Sequence, residues 1–250
     1  AKNTVTRTDE SPKGEDYAYR NWWEGYSFGQ EFGYLIDRSN GNGFFNSQQE
    51  LSENDKVYEF GTPRVGDLRY VDLNKDGYIN EKDKAPVGTG TLPRYYYAFY
   101  GNFMYKSFDL SVLFQGVGEY SRMASGVGIF EYEYDGVFGS LHRNAWTEER
   151  YRTGQAIDSP ALSTRKGTSH TSNEYYLYDR SYLRLKSLEI GYTLPTRISR
   201  AITANSIRLC FSAHNLFTWD KMKSDDFGPE GNYASVPVYR FYNLGLSVKF

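Results

Sequence analysis

Residues 93–118 read PRYYYAFYGNFMYKSFDLSVLFQGVG, and this stretch decides the fold of the chain. Aromatic and aliphatic side chains recur at every second position in two runs, which are separated only by Lys106 and Ser107. A period of two places alternate side chains on one face of a β-strand, and a two-residue connection is typical of a hairpin. The stretch therefore predicts two antiparallel strands that share one apolar face.

Three segments downstream continue the alternation, at 188–194, 207–219 and 242–250. Each again carries apolar side chains on one face and polar or small residues on the other. From Tyr182 to Ser187 the apolar residues occupy the opposite face. This half of the strand is therefore predicted to lie outside the apolar layer.

Long and short connections alternate between these segments. Roughly 85 residues precede the hairpin, about 60 follow it, and connections of about a dozen and about 20 residues separate the later strands. Outer-membrane β-barrels have short turns on one side and long loops on the other. We therefore expect an all-β chain that forms part of a large antiparallel transmembrane β-barrel, with extracellular loops at 6–92 and 119–180. A sixth strand would end near Val5, and since six strands cannot close such a barrel, others are expected outside residues 1–250.

Composition excludes several other classes of protein. A net charge of -2 provides no basic surface for nucleic acid, and the single cysteine, Cys210, excludes an intrachain disulfide framework. There are 24 Tyr and 16 Phe residues, yet mean hydropathy is only -0.67, a combination that favours alternating strands over buried helices. No run of apolar residues is long enough for a membrane-spanning helix. Any contact with a membrane is therefore expected through strands.

The stretch DLNKDGYINEKD at 72–83 matches the pattern of an EF-hand calcium loop. Oxygen-bearing residues occupy loop positions 1, 3, 5 and 12, and Gly77 at position 6 allows the sharp turn. Calcium takes six to eight oxygen ligands, so alternate side chains and one backbone carbonyl must converge on the ion. The expected structural Ca²⁺ ligands are the side chains of Asp72, Asn74, Asp76 and Asp83 and the carbonyl of Tyr78. A solvated polar turn is the alternative, since Asn, Asp and Gly are common in turns.

The chain lacks the familiar catalytic patterns, including those of serine hydrolases, zinc proteases and P-loop enzymes, so it is not expected to be an enzyme. The three histidines are scattered, and His214 is expected to line a lumen rather than to act as a base. Trp22 and Trp23 could form a stacking platform for a sugar or peptide, although loop packing is the simpler interpretation. The acidic stretch 130–135 is expected to be the solvated edge of a loop.

Six stretches resemble, in the same order, the C-terminal region of SusC/RagA-type TonB-dependent outer-membrane transporters of the Bacteroidetes. They are EGYSFGQEFGYLIDRSNGNGFFNSQQEL (24–51), VGDLRYVDLNKDGYINEKDKAPVGTGTLPRYYYAFYGNFMYKSFDLSVLFQG (65–116), NAWTEERY (144–151), YDRSYLRLKSLEIGYTLP (178–195), IRLCFSAHNLFTW (207–219) and YNLGLSVKF (242–250).

This resemblance implies a 22-stranded barrel with a plugged lumen, a size class in which plugs are found. It also implies a SusD-like lipoprotein lid, import of oligosaccharides or peptides driven through TonB, and a possible dimer of such pairs in the bacterial outer membrane. The family's D-x-N-x-D-G loop maps onto Asp72, Asn74, Asp76 and Gly77. No plug domain or TonB box is present in this chain, so the contact with TonB is expected in a missing N-terminal region.

Two other functions fit the same strands. A secreted, calcium-stapled β-sandwich that binds carbohydrate would alternate in the same way, with Trp22 and Trp23 at its site. A structural barrel of a secretion or motility machine would share the strands and lack a ligand cavity. Loops longer than about 15 residues are uncommon in compact soluble domains, which favours the barrel over the sandwich.

Overall fold

The computed structural model describes residues 4–9, 11–19, 22–133 and 136–250. The chain divides into two compact units. One unit, here called the loop unit, comprises Ala1–Leu92, Glu119–Arg180 and Met222–Ser235. The other, the sheet unit, comprises Pro93–Gly118, Ser181–Lys221 and Val236–Phe250.

Strands dominate the secondary structure, as the alternating pattern predicts. In chain order the strands of the described residues are β1 (Glu31–Gly33), β2 (Val57–Tyr58), β3 (Tyr78–Ile79), β4 (Ala85–Val87), β5 (Tyr95–Tyr105), β6 (Phe108–Gly118), β7 (Ser121–Met123), β8 (Leu177–Asp179), β9 (Tyr182–Thr193), β10 (Ser206–Asp220) and β11 (Phe241–Lys249).

The helices are short. They are α1 (Gln48–Glu53), α2 (Glu148–Thr153) and α3 (Thr196–Ala201), with 3-10 turns at Glu81–Asp83, Ser140–His142 and Glu174–Tyr176. Among the described residues, no helix has the length and apolar character that a bilayer crossing requires.

The sheet unit is one five-stranded antiparallel sheet in the order β11-β10-β9-β6-β5. Strands that follow one another in this unit are therefore neighbours in space, which is an up-and-down arrangement. The hairpin between β5 and β6 turns at Lys106, whose φ of 54° is left-handed, and pairs Tyr105 with Phe108 as the spacing predicts. Thr4 forms an isolated bridge with Ser27, and residues 1–3 lie outside the described part of the chain, so a sixth long strand stays a prediction.

A β-bulge in β9 corrects one expectation about the first half of that strand. Leu113 pairs with Ser187, but the next residue, Phe114, pairs with Leu185, so Lys186 is an extra residue on β9. One extra residue moves the preceding side chains to the other face. Leu183 and Leu185 therefore join the apolar face, and the prediction that this half of the strand lies outside the apolar layer is wrong.

The loop unit has an aromatic core of its own. Tyr34, Phe45, Tyr58, Tyr70 and Ile79 are buried together. Two of the buried tyrosine hydroxyl groups are hydrogen-bonded: Tyr70 donates to the carbonyl of Thr168 at 3.0 Å, and Tyr58 accepts the Tyr70 backbone N–H at 3.1 Å. Residues from both long connections thus pack into one folded body, because large aromatic side chains bury much area without a regular sheet.

Candidate functional site

One face of the sheet unit presents a continuous apolar surface that crosses all five strands. The register aligns side chains in rows, because residues that pair directly across antiparallel strands share a face. Two of these rows lie toward the end of the sheet that bears the short turn, and they are Tyr105, Phe108, Tyr192, Leu209 and Leu246, and Phe103, Leu110, Ile190, Phe211 and Leu244.

This apolar face is open. Leu244 is 88% exposed, Leu246 is 65% exposed and Ile190 is 41% exposed. A β-sandwich would cover such a face with a second sheet, but the remaining strands of the described residues form only two-stranded pairs. A contiguous exposed apolar surface of this kind marks contact with a partner or a membrane.

The composition of the apolar face varies along the strands. Near the ends that lead into the long connections, Phe99, Phe114 and Phe217 pair in one row with Leu185. Near the other end lies the row that contains Tyr105. Aromatic residues at both ends of an apolar band are typical of membrane-spanning barrels, and 11-residue strands such as β5 and β6 match the length needed to cross the hydrocarbon layer at a tilt.

The opposite face of β9, β10 and β11 is polar, and so is the first half of β6. Arg208 donates to Asp109 at 2.5 Å and to Glu189 at 2.8 Å, which links three strands. Gly191 makes room for this cluster, since a Cβ there would lie 2.4 Å from both Arg208 and Asp109. His214 is exposed on this face, and its expected role in lining a lumen stays a prediction.

The loop 72–83 folds into successive Asx turns. The Asp72 carboxylate accepts the backbone N–H groups of Lys75 at 2.7 Å and Gly77 at 2.9 Å, and Asp76 accepts the N–H of Tyr78 at 2.8 Å. Gly77 has a φ of 82°, in the left-handed region that favours glycine. Such turns aim several oxygen atoms of one short segment toward its concave side.

Asp83, the last residue of this loop, is fully buried. Its carboxylate accepts the N–H groups of Leu73 at 2.9 Å and Asn80 at 3.0 Å. Burial raises the pKa of Asp83, and the negative charge of Asp72 raises it further. The neighbouring lysines pair elsewhere, Lys82 with Asp16 and Lys84 with Glu81.

The loop carries several oxygen atoms of the kind that a hard divalent cation takes as ligands. The side chains of Asp72, Asn74, Asp76 and Asp83 are brought into one loop, together with the carbonyl of Tyr78. A buried carboxylate beside a second carboxylate, with no lysine paired to it, is an arrangement that a cation would stabilise. In the described part of the chain, however, no cluster of three or more His, Cys, Asp or Glu side chains has metal-binding geometry.

The proposed aromatic platform is only partly accessible. Trp23 is 45% exposed, whereas Trp22 is half-buried with its indole nitrogen enclosed and unpaired in the described structure. Tyr26 packs edge-on against Phe32, with ring centroids 5.7 Å apart. These contacts agree with the simpler interpretation of loop packing.

A buried cluster of Glu131, His142 and His170 was not anticipated. Glu131 is 4% exposed, so the expectation that 130–135 is a solvated loop edge is wrong at this residue, while Tyr134 and Asp135 lie outside the described residues. His170 Nε2 lies 3.0 Å from both carboxylate oxygens of Glu131, and His142 Nε2 lies 3.7 Å from one of them.

Two turns of the same sequence pattern, Gly-x-x-His, hold these histidines. The N–H of Gly139 donates to Nδ1 of His142 at 3.0 Å, and the N–H of Gly167 donates to Nδ1 of His170 at 2.8 Å. A ring nitrogen that accepts carries no proton, so each neutral ring carries its proton on Nε2. The matching tetrapeptides GSLH and GTSH are the sequence signal that could have revealed the pair.

Comparisons with known proteins agree with this architecture. Over 211 residues, 76% of the chain, it is 30% identical to TonB-dependent receptor P3 of Formosa agariphila, and over 201 residues it is 27% identical to TonB-dependent receptor P26 of the same organism. It spans about 20% of the length of these curated relatives. No protein-family model matches the chain.

Solved structures share the fold. The RagAB peptide importer in its open-open state superposes with a TM-score of 0.59 over 92% of this chain and 23% of that one, at 20% identity. The structure of the RagAB peptide transporter gives a TM-score of 0.54 over 72% of this chain and 19% of that one, at 21% identity.

The chain is thus an all-β segment related to the TonB-dependent receptors, which are outer-membrane proteins. Its fold is that of the RagAB structures, in agreement with the SusC/RagA-type resemblance seen in the sequence. Its partial coverage fits the expected C-terminal portion of a larger transporter.

Reversing the polarity of the apolar face tests its contact with lipid. Leu244→Arg places a charge on the apolar face, and we expect it to destabilise the protein in the membrane by up to about 2–4 kcal/mol, the cost of an arginine at the bilayer midplane. Asn243→Arg, on the opposite face of the same strand, is the matched control and should cost far less. Urea titration of the full-length protein in bilayers measures both. Equal losses for the two variants would show that hydrocarbon does not cover the Leu244 face.

Titration of Glu131 should make the loop unit sensitive to acid. Burial alone would raise the pKa of Glu131, but the hydrogen bond and attraction of His170 outweigh it and hold the pKa below its usual value. Stability from this group is therefore present at neutral pH and is lost as pH falls below about 4.5, through the lowered pKa.

Hydrogen exchange of the Ser163 amide, which donates to Glu131 at 2.8 Å, reports this loss directly. Protection in the wild type should fall on acidification, and Glu131→Gln should remove most of that pH dependence. Glu148→Gln, at an exposed position on α2, is the control and should behave like the wild type. An unchanged acid response in Glu131→Gln would contradict the assignment.

Proposed function

We propose that this chain supplies part of the barrel wall and the extracellular loops of a TonB-dependent importer in the bacterial outer membrane. The observation that carries the proposal is the open apolar face across β5, β6, β9, β10 and β11, backed on β9, β10 and β11 by a polar face that would line the lumen. A protein of this kind transports and does not catalyse a reaction. We further propose that these strands close a barrel together with strands outside this chain, and that the complete barrel has 22 strands.

Import suits this architecture better than the two competing functions. A soluble carbohydrate-binding sandwich would have to seal Leu244 and Leu246 from solvent, and both are exposed. A purely structural barrel would have no use for long connections that fold into an aromatic-cored unit. Loops carried on a rigid scaffold are where binding functions concentrate.

The remaining parts of the proposal concern partners and cargo. The solved relatives are titled RagAB peptide transporter or importer, and the curated relatives are TonB-dependent receptors. We propose a SusD-like lipoprotein lid above the loop unit, energy from TonB through a region outside this chain, and pairing of two such complexes. The cargo is an oligosaccharide or a peptide.

We also propose that the loop 72–83 binds a structural Ca²⁺ ion. Asp72, Asn74, Asp76 and Asp83 would supply side-chain oxygens, and Tyr78 its carbonyl. Ile79, at position 8 of the loop, is fully buried in the aromatic core. An ion that orders the loop would therefore also order this part of the core. The ion would act as a staple for the loop unit.

Deletion of the gene for the full-length protein in its native bacterium tests import. The deletion strain should lose growth on an oligosaccharide or peptide source and regain it with the wild-type gene but not with one that lacks the TonB-contacting region. The tagged protein should require detergent and should co-purify with a lipoprotein. A protein that stays monodisperse without detergent, or growth that does not depend on TonB, would refute the proposal.

Limited proteolysis tests the staple. With Ca²⁺ present, cleavage between Gly66 and Gly90 should be slow, and a chelator should accelerate it several-fold. Asp76→Ala should cleave at the faster rate under both conditions, since it removes one ligand. Asp55→Ala, outside the loop and exposed, should retain the calcium effect. Equal cleavage rates with and without chelator in the wild type would contradict the proposal that Ca²⁺ stabilises this loop.

A further inference from the structure

Two backbone turns of the loop unit depend on the neutral form of two buried histidines. The N–H of Gly139 donates to Nδ1 of His142 at 3.0 Å. The N–H of Gly167 donates to Nδ1 of His170 at 2.8 Å. A charged imidazole carries a proton on each ring nitrogen and cannot accept a hydrogen bond. Each turn is therefore compatible only with the neutral form of its histidine.

At the other ring nitrogen, each histidine has partners that suit both charge states. Nε2 of His170 lies 3.0 Å from both carboxylate oxygens of Glu131. Nε2 of His142 lies 3.2 Å from the carbonyl oxygen of Ile129 and 3.7 Å from Glu131. These oxygens accept an N–H from a neutral or a charged ring, and a nearby carboxylate favours the charged form. Protonation would therefore keep the contacts at Nε2 and break those at Nδ1.

The carboxylate that His170 contacts keeps its charge near neutral pH. The ionisable groups packed around this ring, its turn and its carboxylate partner are Arg64, Asp67, Glu131, Tyr132, Glu133 and Tyr176. The first two form an ion pair at 3.6 Å, and burial raises the pKa of both tyrosines, which stay neutral. Burial also acts to raise the pKa of Glu131, but the hydrogen bond and attraction of His170 outweigh burial and hold this pKa below its usual value.

A second carboxylate lies beside the turn that holds His142. A Cβ on Gly139 would lie 2.6 Å from Oδ2 of Asp226, and the same oxygen accepts the N–H of Ser140 at 2.5 Å. The next residue in the chain, Arg143, is exposed to solvent, where its charge is screened. A negative charge therefore flanks this histidine as well, which again favours its protonated form.

The same cluster anchors both sides of an open cleft. Two recesses of the loop unit, of about 450 and 480 Å³, share Phe138 and Leu162 as lining residues and are here called the cleft. Phe138 directly precedes Gly139, which is held by its histidine. Leu162 directly precedes Ser163, whose N–H donates to Glu131 at 2.8 Å. Each shared side chain thus adjoins a backbone N–H that the cluster binds.

We propose that the two histidines form a pH switch: their protonation releases the Gly139 and Gly167 turns and changes the shape of the cleft, while Glu131 keeps its contacts. The new proton on each Nδ1 would point at a backbone N–H, so the ring and the turn must separate. Movement of Gly139 carries Phe138 with it, whereas the opposite side of the cleft stays bound to Glu131. One side of the cleft therefore moves relative to the other.

The switch would respond to the surroundings of the cell. In the importer proposed above, the loop unit would face the medium, so the acidity of the medium would set the shape of the cleft. The switch itself does not depend on transport or on the barrel, since all of its groups belong to the loop unit. Its test and the test of import can therefore fail separately.

Hydrogen–deuterium exchange of the full-length protein in lipid nanodiscs tests the switch. Uptake at Gly139, Gly167 and Ser163 is read by mass spectrometry at about pH 7.5 and about pH 5.5, within the interval in which histidine changes charge. Each value is corrected for the pH dependence of unhindered exchange. We expect uptake at Gly139 and Gly167 to rise several-fold at the lower pH, and uptake at Ser163 to stay unchanged.

Asparagine at either histidine position supplies an acceptor that does not titrate. The chain already contains this arrangement with a carboxylate, since Asp83 accepts the N–H of Asn80, three residues earlier, at 3.0 Å. His142→Asn should remove the pH response of its own turn and leave that of the other turn, and His170→Asn should do the reverse. His214→Asn, at an exposed position of the sheet unit, is the control and should behave like the wild type.

Three results would overturn the switch. The first is equal corrected uptake at the two pH values in the wild type, which decides the case even if a variant does not fold. The second is a wild-type response in both His142→Asn and His170→Asn, because the charge of the histidines could not then be its cause. The third is a rise at Ser163 equal to that at Gly139, since the cluster would then come apart as a whole.

Discussion

The register of five antiparallel strands is the constraint on which the rest of the structure depends. Side chains in a strand alternate between faces, so a slip of one residue would exchange the apolar and polar faces of that strand. The two-residue turn at Lys106 and Ser107 sets the pairing of β5 with β6, and each later strand pairs with one already in place. Only in this register do Leu110, Ile190 and Leu244 form one uninterrupted row.

In the loop unit, long connections are ordered without a large sheet. Buried tyrosines contribute rings to a core and hydroxyl groups to hydrogen bonds, so a few residues satisfy both packing and polarity. Asn173 makes one such polar link to a buried tyrosine. Its side-chain amide donates to the Tyr70 hydroxyl at 2.9 Å and to the Ser169 carbonyl at 3.1 Å. A connection of this length is therefore a folded body and not a flexible tether.

Much of the sheet could be predicted from the sequence because its signal is local. A period of two, the short turn at Lys106 and the terminal alternation through Leu246 each lie within a few residues, and the structure confirms them. The bulge at Lys186 could not be predicted, since an extra residue is defined only by the neighbouring strand. The cluster of Glu131 and His170 could not be predicted for a similar reason, because 39 residues separate the two in sequence. The calcium ligands stay a prediction, since the loop geometry alone does not identify an ion.

The outermost strands of the sheet, β5 and β11, have a further consequence for how such a protein matures. Each presents one row of backbone amide and carbonyl groups that no other strand of the described sheet satisfies. Hydrocarbon tolerates no such unpaired rows, and in water they recruit other chains into aggregates. Biogenesis should therefore deliver this segment to the bilayer only when its neighbours can join at both margins.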